Sequence, residues 1–282
     1  MSNFDVPYQN LIKKILQEGI EQTNERTGHK TLSLFGENLV FNLEDGFPIL
    51  TLRKIPLKIF IAEQIWFISG SNKPSDFLHE HTKIWDDFIE EDGTVAAAYG
   101  YRWRSHFGRD QLKQLITHLK HQPNSRQGVV MMWDPSDDGL TGPDCIGTCK
   151  MNVPCPFCFV VNIINNKLNT HLFIRSNDMI LGSPHDIAGF SLLSYILAAK
   201  LGIQPGKLVV SISNAHIYDI HYEAAKKIIS RETRHPNIKF AAKADYFERA
   251  EKKDHSLVEE IYDKLSHQYR PQKTIKGLKI VL

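Results

Sequence analysis

The stretch between residues 153 and 218 constrains the fold more than any other part of the chain. Residues 157–164 and 168–175 predict an antiparallel hairpin across an Asn-Asn-Lys turn. The apolar run at residues 186–201 predicts a helix, and residues 207–213 predict another strand. These elements favour a fold in which helix and sheet pack together.

Five side chains at the borders of these predicted elements carry chemistry. Cys155 is a candidate nucleophile, because a nearby cation such as Arg175 raises the thiolate fraction of a cysteine. The Arg175 fork can also bind a phosphate through two parallel hydrogen bonds. Asp186 offers a carboxyl group to a polar ring edge, and His216 with Tyr218 can bind a sugar hydroxyl. Together they indicate a nucleotide that is modified covalently.

Each residue also has an ordinary structural interpretation. A lone cysteine is more often a small buried hydrophobe, and a lone arginine is usually a surface charge. A His-x-Tyr pair can be part of any strand or helix. The order and local context of all these residues favour one pocket.

The four cysteines, Cys145, Cys149, Cys155 and Cys158, have the spacing C-x3-C-x5-C-x2-C. Four thiolates can close a tetrahedral zinc site, so a non-catalytic, zinc-stabilised module that binds nucleic acid is an alternative. The spacing between the pairs is tighter than in the usual two-knuckle sites, and Cys155 cannot be both metal ligand and free nucleophile. We therefore predict no metal site and no disulfide.

The remaining elements follow from periodicity and turn residues. A single acid, Glu63, lies on a strongly apolar predicted helix. It is either solvent-facing or buried with a raised pKa, which would suit a proton relay.

The predicted helices are residues 8–20, 57–68, 112–119, 218–230 and 254–267. The predicted strands are residues 31–35 and 39–43 across a tight turn at 36–38, residues 128–133, and residues 238–242. Residues 134–150 are expected to form a flexible connection.

Composition excludes several classes of protein. The chain has 282 residues, 42% hydrophobic and 23% charged, and a net charge of +2, so we expect no nucleic-acid or membrane partner. It has no apolar run of transmembrane length and a polar start, which favours a cytoplasmic location. There is no repeat or linker, so residues 1–282 are predicted to form a single domain with an apolar C-terminal tail.

The chain resembles the thymidylate synthase family from about Tyr8 to its C-terminus. The motifs that carry the resemblance are Glu25-Arg26-Thr27-Gly28, Leu32-Ser33-Leu34-Phe35-Gly36, Phe41-Asn42-Leu43-Glu44-Asp45-Gly46-Phe47-Pro48, Glu63-Gln64-Ile65-Trp66-Phe67, Ile84-Trp85-Asp86, Tyr99-Gly100-Tyr101-Arg102-Trp103-Arg104, Ser125-Arg126, Val153-Pro154-Cys155-Pro156, Arg175-Ser176-Asn177-Asp178 and His216-Ile217-Tyr218. Many motifs in the family's order make the resemblance specific.

The resemblance implies a thymidylate synthase-like α+β fold with a mixed sheet, helices on one side, and a homodimer formed through the sheet face. It implies that a cysteine adds to C6 of a pyrimidine nucleotide and that C5 receives a one-carbon unit from the cosubstrate 5,10-methylenetetrahydrofolate. Hydride transfer then gives a methyl group and dihydrofolate, whereas water gives a hydroxymethyl group and tetrahydrofolate. The C-terminal tail would close over the bound ligands.

The resemblance also assigns residue roles. The catalytic set is Cys155 as nucleophile, Glu63 as proton relay, Tyr99 and Asp186. The nucleotide-binding set is Arg26, Arg126 from the second subunit, Arg175, Ser176, Asp178, Asp186, His216 and Tyr218. The folate-binding set is Ile84, Trp85, Asp178, Leu181, Gly182 and Val281.

The pocket departs from the family pattern at Asp186, which stands where an asparagine normally reads uracil. A carboxylate accepts from the amino group of cytosine, and a shared proton satisfies N3, whereas an ionised carboxylate opposes O4 of uracil. This favours a deoxycytidylate (dCMP) hydroxymethylase. Further departures are Pro156, Gln127 and His185. A thymidylate synthase that acts on dUMP, a dCMP methylase and a ribonucleotide substrate stay open.

Overall fold

The structure is a computed structural model that describes residues 3–25, 27–139, 153–233 and 236–281. Within these residues the helices are α1 Asp5–Glu18, α2 Leu57–Ser69, α3 Tyr99–Tyr101, α4 Gln111–His121, α5 Gly182–Leu201, α6 Tyr222–Ile229, α7 Tyr246–Glu251 and α8 His255–Ser266. The strands are β1 Ile20–Thr23, β2 Lys30–Asn42, β3 Val129–Met131, β4 Pro156–Ile164, β5 Lys167–Ile174, β6 Asn177–Asp178 and β7 Gln204–Tyr218.

The strands form one mixed sheet in the order β1-β2-β7-β5-β4-β3, and β6 pairs with β7. β5 and β6 run parallel to β7, while the other neighbouring strands are antiparallel. The parallel pairing of β5 with β7 requires a crossover, which α5 supplies. The predicted α+β fold with a mixed sheet is confirmed.

One face of the sheet packs against helices. Along β5, Leu168, Thr170 and Leu172 are buried, and Ser194 Oγ of α5 donates a 2.8 Å hydrogen bond to Thr170 Oγ1. The intervening His171 and Phe173 are only half-buried on the opposite face. This alternation follows from the period of two in a strand. Among the described residues, the second face of β5 is only partly covered.

The predicted turn at residues 36–38 is wrong. β2 is one continuous strand of 13 residues, and its register on β7 is constant from Thr31 opposite Tyr218 to Asn42 opposite Lys207. Gly36 has a φ of 76°, which only glycine adopts without strain, yet the strand passes through it. Pairing along the whole length of β7 overrides the local turn signal.

The β4–β5 hairpin is confirmed. Asn165 and Asn166 have φ values of 51° and 57°, as a two-residue type I′ turn requires. The predicted helices near residues 8–20, 57–68, 112–119, 186–201 and 254–267 are present with shifted ends, and residues 128–133 contain β3.

The C-terminal third differs from the prediction in three places. Residues 238–242 form no strand and make a single bridge between Ile238 and Phe47. α7 was not predicted. The helix predicted at residues 218–230 begins only at Tyr222, because Tyr218 ends β7. The buried hydrophobic residues of the described ranges form one cluster. No helix in the described ranges is both long enough and apolar enough to span a bilayer.

Candidate active site

Cys155 lies half-buried immediately before β4 and is held by Arg175, the residue after β5. Arg175 Nη2 lies 3.6 Å from Cys155 Sγ, and the Arg175 backbone N–H donates a 2.9 Å hydrogen bond to the Cys155 carbonyl. The edge-to-edge pairing of β4 and β5 creates this contact. A guanidinium beside a thiol favours the thiolate.

The same guanidinium braces the segment that leads to the cysteine. Arg175 Nε donates to the Pro154 carbonyl at 2.9 Å, and Nη2 donates to the Val153 carbonyl at 3.1 Å. Two of its three nitrogen atoms are therefore occupied within the described part of the chain. Arg175 could therefore bind a phosphate through Nη1 and its positive charge. The sequence had suggested a bidentate contact through two parallel hydrogen bonds.

Glu63 projects from α2 and is half-buried. The indole N–H of Trp85 donates a 2.7 Å hydrogen bond to Glu63 Oε1. Burial is the main cause that raises the pKa of Glu63 to about 8, with a smaller contribution from the charge of Asp186, while the bond from Trp85 opposes the rise. Near neutral pH this carboxyl keeps its proton and can donate it.

Tyr99 is influenced electrostatically by the other candidate catalytic residues. Burial raises its pKa well above the usual value, and the charges of Cys155, Asp186 and Glu63 each raise it further. A hydrogen bond from the Cys155 backbone acts in the opposite direction. The adjacent Gly100 permits the approach, because a Cβ there would lie 2.1 Å from the Phe67 carbonyl oxygen of α2.

Asp186 lies in the first turns of α5 and is held by β6. Asn177 Nδ2 donates a 2.7 Å hydrogen bond to Asp186 Oδ2. Burial raises the pKa of Asp186 to about 7; the bond from Asn177 lowers it, and the charge of Asp178 raises it. Gly182 completes this corner, since a Cβ at that position would lie 3.7 Å from both Asn177 Nδ2 and Asp186 Oδ2. The carboxyl is therefore poised between its two protonation states near pH 7.

His216 and Tyr218 lie near the end of β7 and are each 7% exposed. Their rings meet edge-to-face with centroids 4.9 Å apart. Burial lowers the pKa of His216, so the ring is neutral and each nitrogen has a defined role. Nδ1 lies 3.1 Å from Asn214 Oδ1. Because Nδ1 is engaged by this contact, Nε2 is the ring nitrogen that can bind another partner.

Asp178 caps the turn into α5. Its Oδ1 accepts hydrogen bonds from the Ile180 and Leu181 N–H groups at 2.8 and 3.3 Å. Its Oδ2 lies 4.0 Å from Nδ1 of the fully buried His221, and neither ring nitrogen of His221 has a hydrogen-bond partner among the described residues. Burial lowers the pKa of His221, and the charge of Asp178 opposes this effect.

Other predicted site residues are placed less directly. Ile84 is half-buried beside the buried Trp85, Ser176 is half-buried, and Val281 lies in the described part of the tail. Arg126 is exposed in the turn before β3 and is not brought to Cys155 within the chain. Arg26, Cys145 and Cys149 lie outside the described residues.

Sequence reasoning missed three residues that shape the site. Asn177 positions Asp186, His221 lies against Asp178, and Trp133 lies under Arg175 with its ring 5.8 Å from the guanidinium carbon. Only Asn177 had a signal, namely its place between two assigned residues in the Arg-Ser-Asn-Asp motif. The other two contacts join segments that are distant in sequence.

The model of the family described as thymidylate synthase matches residues 6–277. The chain belongs to the thymidylate synthase family. Members transfer a one-carbon unit to C5 of a pyrimidine nucleotide, with methylenetetrahydrofolate as cosubstrate. The protein is therefore a transferase that binds nucleotide and folate.

Proposed function

We propose that this protein hydroxymethylates dCMP at C5, forming 5-hydroxymethyl-dCMP with 5,10-methylenetetrahydrofolate as cosubstrate. The observation that carries the proposal is the environment of Asp186, whose carboxyl accepts a 2.7 Å hydrogen bond from Asn177 Nδ2 and has a pKa that burial raises to about 7. An aspartate stands here at the position where the family reads the base.

Hydrogen-bond chemistry explains the preference for cytosine. Because Oδ2 already accepts from Asn177, it is the unprotonated oxygen and can also accept from the cytosine amino group. The proton that the raised pKa retains then lies on Oδ1 and can be shared with cytosine N3. Both the ionised and the protonated carboxyl accept from the cytosine amino group, whereas only the protonated form matches uracil. An ionised Asp186 opposes uracil O4 with a second acceptor, which costs about 1–3 kcal/mol.

Cys155 is the proposed nucleophile. Its Sγ adds to C6 of the ring, and the electron pair of the C5–C6 bond then makes C5 nucleophilic. Arg175 at 3.6 Å favours the thiolate before attack. Tyr99 lies beside the thiol and is proposed to assist removal of the C5 proton. The cosubstrate supplies the one-carbon unit that C5 receives.

Glu63 is the proposed proton relay. Its pKa of about 8 lets it give and take a proton near neutral pH, and the Trp85 bond fixes its orientation. A hydroxymethyl product requires that a water molecule reach the reacting carbon beside Glu63, whereas exclusion of water would favour hydride transfer and a methyl product.

The remaining assignments belong to the same proposal. The sugar would be bound by His216 and Tyr218, and the phosphate by Arg175, Ser176, Arg26 and, from a second subunit, Arg126. The folate would contact Ile84, Trp85, Asp178, Leu181, Gly182 and Val281, with the tail closing over it. The exposed Arg126 and the partly covered face of β5 support a homodimer.

A thymidylate synthase is the second candidate, since the family match covers either reaction. A dCMP methylase and a CMP substrate also remain compatible with the site. A zinc-stabilised module has less support, because Cys155 contacts Arg175, whereas a zinc-bound thiolate would face other ligands.

A product assay tests the proposal. dCMP and dUMP are offered separately with methylenetetrahydrofolate, products are identified by mass spectrometry, and dihydrofolate is followed by absorbance. Hydroxymethylated dCMP without dihydrofolate is expected. Methylated dUMP with dihydrofolate would identify a thymidylate synthase instead.

A further inference from the structure

Arg102 is a buried arginine one turn after Tyr99, and it is 1% exposed. Its Nη2 donates a 3.0 Å hydrogen bond to Oδ1 of Asp138, which is 2% exposed. Its Nη1 lies 2.9 Å from His106 Nε2, which in turn lies 2.6 Å from Asp134 Oδ2. We call these four side chains the Arg102 cluster. The proposed chemistry uses none of them.

The Arg102 cluster fastens the turn that follows β3. The Asp134 backbone N–H donates to Asp138 Oδ2 at 2.8 Å, and the Asp138 N–H donates to the Asp134 carbonyl at 2.8 Å. Both carboxylate oxygens of Asp138 are therefore engaged, one with Arg102 and one with the turn. Residues 134–138 thus form a hydrogen-bonded turn, and residues 140–150 of the connection predicted at residues 134–150 lie outside the described residues.

The turn at residues 134–138 follows Trp133 directly in the sequence. The Trp133 N–H donates to the Phe157 carbonyl at 3.2 Å, which ties the residue to β4 two positions after Cys155. The Trp133 ring supports the Arg175 guanidinium, with 5.8 Å from the guanidinium carbon to the ring centroid. Arg175 then contacts Cys155 Sγ at 3.6 Å.

The other end of the cluster also reaches Cys155. Arg102 begins the π-helical turn Arg102–His106 that continues α3, and its backbone N–H donates to the Ala98 carbonyl at 3.0 Å. Tyr99 lies between Ala98 and Arg102 in the sequence, inside the turn that this hydrogen bond closes. Tyr99 receives a hydrogen bond from the Cys155 backbone. The ion pair thus joins two segments that both contact the cysteine.

We infer that the buried Arg102–Asp138 ion pair is a positioning device that sets the reactivity of Cys155, through Trp133 and Arg175 on one side and Tyr99 on the other. The inference rests on the proposed role of Cys155 as nucleophile. A buried ion pair is weak as a source of stability but is strongly destabilising to break, so it suits the fixing of a geometry.

Asp138→Asn tests the inference, because it removes the charge and keeps the shape. Asp137→Asn is the matched control, since its Oδ2 lies 3.9 Å from Arg102 and its side chain is 41% exposed. Iodoacetamide labelling of Cys155 is followed across pH by mass spectrometry. We expect the midpoint for Asp138→Asn to rise by about one pH unit, with about tenfold slower labelling at pH 7. Asp137→Asn should match wild type.

Turnover supplies a second readout. In Asp138→Asn, kcat should fall about tenfold with KM for the nucleotide changed less than about twofold, as expected when an interaction acts on the transition state. If Asp138→Asn does not fold, Trp133→Leu removes the support of Arg175 while keeping the ion pair. It should raise the labelling midpoint in the same way, whereas Trp133→Phe should restore it.

A folded Asp138→Asn or Trp133→Leu protein with the wild-type labelling midpoint and kcat would overturn the inference, even with a lower melting temperature. Failure of the proposed function looks different. In that case the wild-type protein does not hydroxymethylate dCMP, and the labelling series still reports whether the ion pair acts on Cys155.

Discussion

Asn177 Nδ2 donates a 2.7 Å hydrogen bond to Asp186 Oδ2, and this contact orients the carboxyl proposed to read the base. Asn177 is 3% exposed, so the bond is shielded from water. It assigns the roles of the two carboxyl oxygens before any nucleotide binds. The proposed base preference therefore depends on both Asn177 and Asp186.

We expect Asp186→Asn to shift preference from dCMP to dUMP. An amide supplies one donor and one acceptor, which match O4 and N3 of uracil. The ratio of kcat/KM values for the two nucleotides should change by about tenfold or more, the equivalent of one unpaired buried group. The exposed Asp87→Asn is the matched control and should leave the ratio unchanged. An unchanged ratio in Asp186→Asn would count against its role.

Cys155→Ala should abolish turnover and leave nucleotide binding largely intact, because the thiol forms the covalent bond while other side chains hold the ligand. Equilibrium binding of dCMP and product formation are measured on the same protein. Cys158→Ala is the control, since Cys158 is buried in β4 and should cost about 1 kcal/mol of stability without loss of turnover. Retained turnover in Cys155→Ala would reject the nucleophile.

Glu63→Gln should stabilise the fold at high pH. The folded pKa of Glu63 is raised from 4.5 to about 8, so the unfolded chain releases its proton first, and stability is lost as pH rises from about 4.5 to 8. The variant should match wild type near pH 4 and exceed its free energy of unfolding by about 1–3 kcal/mol at pH 8. Urea unfolding at both pH values measures this, with the exposed Glu91→Gln as control. A pH-independent difference would refute the burial of this charge.

Trp85→Phe should raise the pKa of Glu63 further. The indole N–H donates to Glu63 Oε1 at 2.7 Å and opposes the effect of burial, and phenylalanine has no donor. The limb of the kcat–pH profile that belongs to Glu63 should therefore move above pH 8. Glu63→Gln provides the reference, because its profile should lack that limb. A limb that stays in place in Trp85→Phe would assign it to another group.

Mixed dimers test whether Arg126 acts across an interface. Cys155→Ala and Arg126→Ala should each be nearly inactive alone. In a mixture refolded together, half of the dimers are hybrids with one intact site, so about a quarter of wild-type activity should return. Phe173→Glu, on the partly covered face of β5, should prevent both dimer formation, measured by light scattering, and this recovery. If both variants are inactive alone and fully mixed dimers show no recovery, Arg126 acts in the site of its own subunit. An active Arg126→Ala protein would place Arg126 outside the site.

Local pattern was sufficient for several elements. The Asn165-Asn166 hairpin and the apolar helices α2 and α5 follow from turn residues and hydrophobic runs that act within a few positions. Prediction from local pattern was wrong at Gly36. This glycine suggested a turn, but it lies inside β2 because β7 pairs with β2 on both sides of it. Prediction from local pattern also failed at residues 238–242, which have no neighbouring strand to complete a ladder.

Residue type and order are enough to identify the family, the candidate nucleophile and the aspartate proposed to read the base. Which groups perturb one another became visible only in the folded chain. The raised pKa values of Glu63 and Asp186 come from burial, and Arg175 reaches Cys155 because β4 and β5 pair. Burial and long-range contact depend on the whole folded chain, so no local pattern contains them.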